Sequence, residues 1–400
     1  MTKLFEPPVF SFQRGEYVGI LGGGQLGRLL AEKAHRLGLQ THVLCYKHTD
    51  PAAMIATRST IIDKDWKDTD ALRSFATSGV RWILCEWENV PVLAVEFIGQ
   101  FVQVYTLPTV LGVGRSRKAE KTMAKELGIP TTNWMDAIDS VGQSALTKEW
   151  DQKDGPFILK SDNGGYDGGG QTEFTNWEKR RDVYRPGNAP AIIEQKVKLA
   201  MECSVIVARD TNGNMQVSPA LRNEHTNHYG GGILASTIWY PGCIDEDLEK
   251  EARQYARRIA SHLDLVGVIC VEFLITTARK ILFSEIAPCR PHNSGHGTLE
   301  AADGQDQFYW YLASVIPGLQ LQSMFFDRPW MMINLIGQDI ELISTLHDLG
   351  WSVHDYGKSE ARPGRKMGHA TIVVGDEDEL HPVYKVIKEL PFETPIRFIW

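Results

Sequence analysis

The 400-residue sequence lacks the patterns that mark several classes of protein. No stretch reaches the roughly 18 consecutive apolar residues of a membrane-spanning helix. The N-terminal segment has no apolar core of the length found in a secretion signal. The net charge of −8 gives the chain no overall basic character for binding nucleic acid or an anionic membrane. These absences favour a soluble cytoplasmic protein that acts on small molecules.

The cysteines also lack a recognisable arrangement, because none of them stands in a CxxC pair. Such pairs mark zinc sites and redox motifs, whereas disulfide frameworks belong mainly to secreted chains. Several of the cysteines lie in or beside apolar, strand-like runs, which favours reduced thiols. The six are Cys45, Cys85, Cys203, Cys243, Cys270 and Cys289.

The N-terminal part alternates between strand and helix patterns. The apolar strand Tyr17–Leu21 runs into Gly22-Gly23-Gly24-Gln25-Leu26-Gly27, and a helical pattern follows from Arg28 to Leu37. A G-x-G-x-x-G sequence between a strand and a helix is typical of a phosphate-binding turn. The next strand, Thr41–Tyr46, ends without the acidic residue that would hold a nicotinamide ribose. A dinucleotide is therefore the weaker interpretation.

Polar residues follow the next strand of this region, Arg81–Cys85, which comes after a predicted helix from Asp68 to Thr77. The alternation predicts an open parallel sheet, whose ligands lie outside the carboxyl ends of the strands. Glu86-Trp87-Glu88-Asn89 falls at such an end, so Glu86 is a candidate for binding a substrate hydroxyl or amine. The alternative is a pair of surface loop charges.

A second glycine-rich segment follows the strand Phe157–Lys160. Residues 164–170 contain five glycines among seven residues, so backbone N–H groups can approach an anion closely. Lys160 supplies a positive charge at the strand end, which a flexible linker would not require. The strand Ala191–Val197 has exposed backbone that can pair with an adenine edge. Upstream, Ser116 is predicted to cap a helix that ends at Leu127.

The segment 266–296 reads as two strands, a short turn and a polar loop. If the turn is centred between Ala278 and Arg279, Glu272 pairs with Glu285. Opposed like charges destabilise a sheet, so a cation between them is expected. Two carboxylates on a rigid pleat suit Mg²⁺ that also binds a nucleotide triphosphate. The alternative is that one glutamate points to solvent or pairs with a lysine.

The C-terminal region adds a basic cluster to an acidic protein. Helices are predicted from Asp247 to Leu263 and from Leu299 to Val315. Lys358 and the run 362–366, RPGRK, lie between later strands. A forked arginine suits a phosphate monoester, and a solvated charge run is the alternative.

The motifs GGGQLG, EWENVP, LKSDNGGYDGGGQ, EQKV, SEIAP, HNSGH and RPGRKMGH follow one another in the chain. In this order they resemble the ATP-grasp superfamily and, within it, the N5-carboxyaminoimidazole ribonucleotide synthetase family. The resemblance implies an α/β fold of the ATP-grasp class. It further implies a Rossmann-like N-terminal domain (1–115), a lid domain with the glycine-rich loop (116–198) and a larger α+β C-terminal domain (199–400).

The resemblance also implies the chemistry and the residues that perform it. Bicarbonate would attack ATP to give carboxyphosphate, which carboxylates the 5-amino group of aminoimidazole ribonucleotide in purine biosynthesis. Mg²⁺, or alternatively Mn²⁺, would be held by Glu272 and Glu285, and Asp167, Lys160 and Arg365 would be catalytic. The implied ATP-binding residues are Arg117, Lys160, Gly165, Tyr166, Asp167, Gly168, Gly169, Gly170, Gln171, Glu194, Gln195, Lys196, Val197, Glu202, His225, Ser284 and Glu285. The implied ribonucleotide-binding residues are Gln25, Leu26, Glu86, Asn293, Lys358 and Arg365.

The sequence departs from the family pattern at four places. Ser284 replaces the usual Asn, Gly169 replaces a Lys or Arg of the glycine loop, Cys289 is inserted before Arg290, and the segment 226–232 is longer. Family analogy suggests a homodimer. Other interpretations are a formate-dependent glycinamide ribonucleotide transformylase, a nucleotide-binding homologue without turnover, and a nicotinamide oxidoreductase.

Overall fold

The computed structural model describes residues 12–105, 108–138, 155–163, 170–184, 188–228 and 232–396. Within these ranges the chain forms three β-sheets, and one hydrophobic cluster joins the N-terminal sheet to the largest sheet. No helix in these ranges is long and apolar enough to cross a membrane. Several predicted site residues lie outside the described residues, namely Gly165, Tyr166, Asp167, Gly168 and Gly169.

The N-terminal sheet is parallel, as the alternation of strands and helices predicts, with strand order β3-β2-β1-β4. Asp68 caps the helix after β3 by accepting bonds from the N–H groups of Asp70 and Ala71. Val104 forms an isolated parallel bridge with Ile83. The strands are β1 Tyr17–Leu21, β2 Gln40–Cys45, β3 Arg58–Ile61 and β4 Val80–Cys85, and the helices are α1 Gln25–Arg36, α2 Thr69–Ala76, α3 Val92–Gly99, α4 Pro108–Gly114 and α5 Arg117–Glu126.

The second sheet is small and antiparallel, with strand order β5-β8-β6-β7. Its core is aromatic, since Phe157 packs against Phe174 and Trp177 at centroid distances of 5.4 and 5.2 Å. Burial of such rings lets a small sheet exclude water. Its elements are β5 Trp134–Asp136, β6 Phe157–Ser161, β7 Gln171–Phe174, α6 Arg180–Val183 and β8 Ala191–Gln195.

The third sheet is the largest and is antiparallel throughout its described pairings. The strand order is β14-β13-β9-β11-β12-β15-β17-β16, with β10 paired to β9. Its strands are β9 Leu199–Arg209, β10 Met215–Val217, β11 Leu221–Thr226, β12 Ile233–Trp239, β13 Gly267–Thr276, β14 Ile281–Ala287, β15 Trp330–Ile336, β16 Ser352–Asp355 and β17 Lys366–Val373. Its helices are α7 Glu246–His262, α8 Thr298–Ala301, α9 Gln307–Val315, α10 Ile343–Asp348 and α11 Leu380–Glu389.

The prediction of one continuous helix from Leu299 to Val315 is wrong. The chain breaks after Ala301, where Asp303 and Gly304 adopt φ values of +42° and +82°. The side chain of Asp306 then caps α9 by accepting the N–H groups of Phe308 and Tyr309. Aspartate and glycine favour left-handed backbone and helix caps. The sequence DGQD therefore indicates the end of one helix and the start of the next, which the continuous apolar pattern obscured.

Candidate functional site

The carboxylate pair lies on the hairpin of β13 and β14. The structure confirms that Glu272 is the cross-strand partner of Glu285. The predicted route to that pairing was incomplete, because the pairs nearer the turn, such as Ile275 with Ile281, are offset by one residue. The extra residue, Ser284, forms a β-bulge between Phe283 and Glu285. Bulges of this kind re-aim side chains and are frequent beside active sites.

Arg117 partly neutralises this pair, whereas the neighbouring His292 is a neutral imidazole because burial lowers its pKa well below the usual value. The Nη1 atom of Arg117 lies 2.5 Å from Oε2 of Glu285, and Nε2 of His292 lies 3.2 Å from Oε1 of Glu272. Burial raises the pKa of Glu272 to about 8, and the Glu285 charge adds to the rise. Burial alone would raise the pKa of Glu285 as well, but the Arg117 and Lys160 charges outweigh it and lower that pKa. Glu272 therefore remains short of positive charge.

Two lysines share the carboxylate of Glu194 on β8. Lys160 Nζ lies 2.8 Å from one oxygen and Lys121 Nζ lies 3.2 Å from the other. Burial alone would raise the pKa of Glu194, but the two ammonium groups lower it to about 2. The Glu194 carboxylate is therefore committed to these lysines, although the residue was predicted beside adenine. Lys121, one turn after the Ser116 cap, was not among the predicted site residues.

A second acid–base pair joins neighbouring strands. His225 Nδ1 on β11 lies 2.7 Å from Oε2 of Glu202 on β9. Burial alone would lower the pKa of His225, but the Glu202 charge outweighs it and raises that pKa to about 9. His225 is therefore an imidazolium at neutral pH, and Glu202 keeps one carboxylate oxygen for another donor.

The end of β8 is held by backbone bonds. The N–H of Gln195 donates to the Asn133 carbonyl and that of Lys196 to the Pro156 carbonyl, both at 2.9 Å. Lys196 Nζ also lies 2.7 Å from Glu173 on β7. These two N–H groups are therefore already paired, and Val197 is the next residue along the chain that lines the cavity.

These groups surround a cavity of about 560 Å³ between the small sheet and the large sheet. Both metal-ligand candidates line it, and so does Asn293, which was predicted to contact the other substrate. Gly170 was also predicted to bind ATP but is not among the residues that line this cavity. Its carbonyl accepts the Ser161 N–H, and its φ is +75°. The predicted ATP-binding residues that line the cavity are Arg117, Lys160, Gln171, Glu194, Gln195, Lys196, Val197, Glu202, His225, Ser284 and Glu285.

A second cavity of about 740 Å³ adjoins the first at the carboxyl edge of the N-terminal sheet. The predicted ribonucleotide residues Gln25, Leu26, Glu86, Lys358 and Arg365 all line it. Gln25 Nε2 reaches the Oδ1 atom of Asn293 at 3.4 Å across the boundary between the cavities. The structure thus brings together the predicted set from both ends of the chain. Arg365 lines this cavity and donates to the Glu360 carbonyl at 2.8 Å.

Glu86 is buried at the end of β4 and packs against the first glycine turn. Its Oε2 atom accepts the Gly24 N–H at 3.1 Å, and a Cβ atom at Gly22 or Gly24 would overlap its carboxylate. Burial raises the pKa of Glu86 to about 7, although the Gly24 N–H and the Arg290 charge oppose this. The glycines that suggested a phosphate turn therefore make room for a carboxylate of the chain itself.

Four residues line both cavities, and none was a predicted site residue: Glu88, Asn89, Arg290 and Lys366. Arg290 forms an ion pair with Glu88, and its side chain is only 7% exposed. Cys289, the preceding residue, takes a left-handed φ of +48°, and its carbonyl accepts the Tyr311 hydroxyl at 2.6 Å. The position of these residues in the EWEN, CRPHN and GRK motifs was the available sequence signal.

Three family descriptions match successive parts of the chain. They are a ribonucleotide synthetase preATP-grasp domain over residues 16–115, an ATP-grasp domain over 122–308, and a phosphoribosylaminoimidazole carboxylase C-terminal domain over 331–382. The N5-carboxyaminoimidazole ribonucleotide synthase of Brucella melitensis is 37% identical over 365 residues, covering 90% of this chain and 97% of the relative. The bifunctional purine synthesis protein purC/E of Dictyostelium discoideum is 34% identical over 91% of this chain, which spans only 38% of that longer protein.

Solved structures agree with these matches. An ADP complex of an N5-carboxyaminoimidazole ribonucleotide synthetase superposes with a TM-score of 0.84 at 30% identity, covering 95% of this chain and 98% of the other. A synthase from Aspergillus clavatus in complex with ADP and 5-aminoimidazole ribonucleotide gives a TM-score of 0.78 at 25% identity, covering 94% and 100%.

Proposed function

The chain belongs to the N5-carboxyaminoimidazole ribonucleotide synthase family of ATP-grasp proteins, and we propose that its two adjoining cavities hold ATP and 5-aminoimidazole ribonucleotide. It is an ATP-dependent ligase that converts this ribonucleotide to its N5-carboxyamino derivative in purine biosynthesis. The fold is the ATP-grasp fold that the sequence motifs predict. The observation that carries the assignment of the cavities is the Glu272–Glu285 pair facing the cavity that Lys160 and Arg117 also line.

The two carboxylates fit a divalent cation. Glu272 has a pKa of about 8 because burial and the Glu285 charge are not fully offset by nearby cations. A hard dication with oxygen ligands would supply the missing charge, so Glu272 and Glu285 would hold Mg²⁺. When bound, Mg²⁺ would neutralise charge on the phosphate oxygens of ATP.

The residues around the first cavity suit the parts of ATP. Lys160 and Arg117 would bind the phosphates, together with the glycine-loop residues Gly165 to Gln171. Glu202, which keeps a free oxygen beside His225, would accept a ribose hydroxyl. The backbone of Val197 would pair with the adenine edge, since the neighbouring N–H groups of Gln195 and Lys196 are already bonded.

The proposed reaction has two steps. An oxygen of bicarbonate attacks the γ-phosphorus of ATP, the bond to the bridging oxygen breaks, and ADP and carboxyphosphate form. The 5-amino nitrogen then attacks the carboxyl carbon, inorganic phosphate leaves, and one amine proton is lost. Lys160 and Arg117 would stabilise charge on the transferring phosphoryl group, since such transfers depend on positioning and electrostatics. Asp167 is proposed to accept the amine proton.

The second cavity suits the ribonucleotide. Lys358 and Arg365 would bind the 5′-phosphate, and Glu86 would accept ribose hydroxyls, with Gln25, Leu26 and Asn293 completing the contacts. We also propose that the chain divides into three domains at residues 115 and 198 and that it forms a homodimer. The three separate sheets support the domain division.

An ATP-turnover assay with and without each of the two other substrates tests the assignment of the cavities. We expect purified protein to release ADP and phosphate only when ATP, bicarbonate and aminoimidazole ribonucleotide are all present. Replacing bicarbonate with formate, and the ribonucleotide with glycinamide ribonucleotide, tests the transformylase alternative in the same assay. ATP turnover that ignores the ribonucleotide would contradict the proposal. Binding of ATP without any turnover would favour the non-catalytic alternative.

Glu86 predicts a pH dependence of ribonucleotide binding. Its pKa of about 7 means that the carboxyl is protonated at lower pH and becomes an acceptor as pH rises. Because titration of this one carboxyl group controls binding, we expect the KM for the ribonucleotide to fall about tenfold between about pH 6 and about pH 8. Glu86→Gln should raise this KM and remove most of its pH dependence. The variant also serves as the control for titration of the substrate phosphate, and an unchanged profile would contradict the role of Glu86.

Arg290 is proposed to guide the carboxyl group from one cavity to the other, because its buried guanidinium lines both. We expect Arg290→Gln to lower carboxylated product about a hundredfold while ADP release falls much less. The two are measured as product and ADP formed in the same reaction. Equal losses of both would indicate that Arg290 acts on ATP turnover itself. Arg209→Gln, on a partly exposed arginine of β9, is a matched control.

A further inference from the structure

Three imidazoles form a stacked column beside strand β17 of the large sheet, with His296 and His369 buried and His354 partly exposed. His354 on β16 stacks on its cross-strand partner His369 on β17 at a centroid distance of 4.4 Å. His296 stacks on the other face of His369 at 4.5 Å. Glu300 in α8 meets the outer end of the column, where its Oε1 atom lies 2.7 Å from His354 Nε2.

Three of these residues bring metal-binding atoms together. One ligand atom each from Glu300, His354 and His369 lies within 4.8 Å of the others. The donor set is two imidazoles and one carboxylate, the combination found in many three-ligand zinc sites. It differs from the Glu272–Glu285 pair, which offers oxygen alone.

Unpaired atoms at the same place point to a ligand. His369 is 0% exposed, and its Nε2 atom has no hydrogen-bond partner among the described residues. The buried Oε2 atom of Glu300 likewise has none within the part of the chain that the structure describes. An unsatisfied buried polar atom destabilises the folded protein, so two at one place indicate that a partner binds there.

A neighbouring hydroxyl holds His369 in a suitable orientation. The Tyr356 hydroxyl lies 2.9 Å from His369 Nδ1, which leaves Nε2 as the ring nitrogen without a hydrogen-bond partner among the described residues. Metal-binding histidines are commonly fixed through their other ring nitrogen in this way. Burial also lowers the pKa of His369 well below its usual value, and the neutral ring is the form that binds a metal.

We propose that Glu300, His354 and His369 form a second metal site, for a borderline divalent ion such as Zn²⁺. Imidazole nitrogen favours Zn²⁺, Co²⁺ or Ni²⁺ over Mg²⁺. Binding would displace the proton between His354 and Glu300 and occupy the unpaired atoms of Glu300 and His369. Water would complete a tetrahedron. The site ties the edge strand β16 to α8 and does not depend on the function proposed above.

A small rearrangement of the side chains is needed before the three ligand atoms can bind one metal ion. The rings of His354 and His369 are within 8° of parallel, so their nitrogen lone pairs lie in nearly parallel planes and do not yet converge on one ion. Ligand atoms around tetrahedral zinc lie about 3.3 Å apart, closer than the 4.8 Å limit observed here. His354 is on the edge strand of the sheet with its side chain 21% exposed, so its ring has room to turn.

Titration with metal alone tests the site. Protein stripped with a chelator and transferred to chelator-free buffer is titrated with Zn²⁺ by calorimetry and with Co²⁺ by visible absorption, without nucleotide. We expect one site, with the Co²⁺ spectrum of a tetrahedral site with nitrogen donors. Glu300→Gln and His354→Ala should each weaken it about a hundredfold or more, since loss of even a supporting contact costs 10–100-fold. Tyr356→Phe, which keeps the packing, should weaken it less.

The Glu272→Gln/Glu285→Gln double variant separates this site from the nucleotide site. It should retain the Zn²⁺ affinity and the Co²⁺ spectrum of the wild type. Circular dichroism of each variant confirms that it is folded. Equal affinities in wild type, Glu300→Gln and His354→Ala would overturn the proposal, as would the absence of a Co²⁺ spectrum in the wild type. In either case, a bridging water is the better partner for the unpaired atoms.

Discussion

Glu285→Gln is expected to lower ADP formation about a thousandfold while leaving the protein folded. The change removes one negative charge from the pair that faces the nucleotide cavity but preserves the size of the side chain. It also removes the second-largest cause of the raised Glu272 pKa, so that pKa should fall from about 8. Steady-state ADP release measures the first effect, and NMR titration of the Glu272 carboxyl measures the second.

A surface glutamine substitution provides the control for Glu285. Glu341 is exposed and lies outside both cavities, so Glu341→Gln should retain the wild-type rate. Thermal unfolding of both variants shows whether a loss of rate reflects a loss of fold. A Glu285→Gln enzyme that releases ADP at close to the wild-type rate would remove the basis for the metal assignment.

Glu194→Gln is expected to lower the free energy of unfolding by about 3–5 kcal/mol, since it leaves two buried ammonium groups without their countercharge. The Lys121 and Lys160 side chains are only 2% and 12% exposed. The Glu194 pKa is lowered to about 2, so its stabilising contribution is present above the ordinary value of 4.5 and is lost as pH falls toward 2. Urea unfolding at neutral and acidic pH measures both effects.

The chain contains a matched pair for this experiment. Glu173 also binds a lysine, Lys196, but both side chains are nearly half exposed, at 48% and 46%. Glu173→Gln should therefore cost less than about 1 kcal/mol. ATP should restore part of the stability of Glu194→Gln, because its phosphates would pair with Lys160, which lines the cavity. Similar losses of unfolding free energy in the two variants would show that the buried Glu194 cluster stabilises the protein no more than an exposed ion pair does.

The sequence predicted local features best. The strand Tyr17–Leu21 has the predicted bounds, the Ser116 cap is confirmed because its hydroxyl accepts the Ala119 N–H, and Glu272 faces Glu285. Each depends on residues close in the chain, where strand alternation, capping and hairpin pairing act.

The missed features depend on residues far apart in the chain. Lys121 becomes a site residue only because β8 carries Glu194 to its ammonium group. Arg290 lines both cavities because Glu88, 202 positions earlier, meets its guanidinium. Neither contact has a periodicity or spacing that a single sequence displays. The motifs indicated which loops belong to the site. The packing of the sheets decides which side chain of each loop meets its distant ion-pair partner.

The bulge at Ser284 bears on the position where the family resemblance implies Asn. In a regular strand, adjacent residues face opposite sides, but here Ser284 and Glu285 both oppose Glu272 and both line the nucleotide cavity. The Ser284 side chain therefore borders the cavity at the position where the resemblance implies the longer amide of Asn. Because serine is shorter, a solvent molecule between it and the phosphates would restore the reach, and the loss of the amide need not remove a contact.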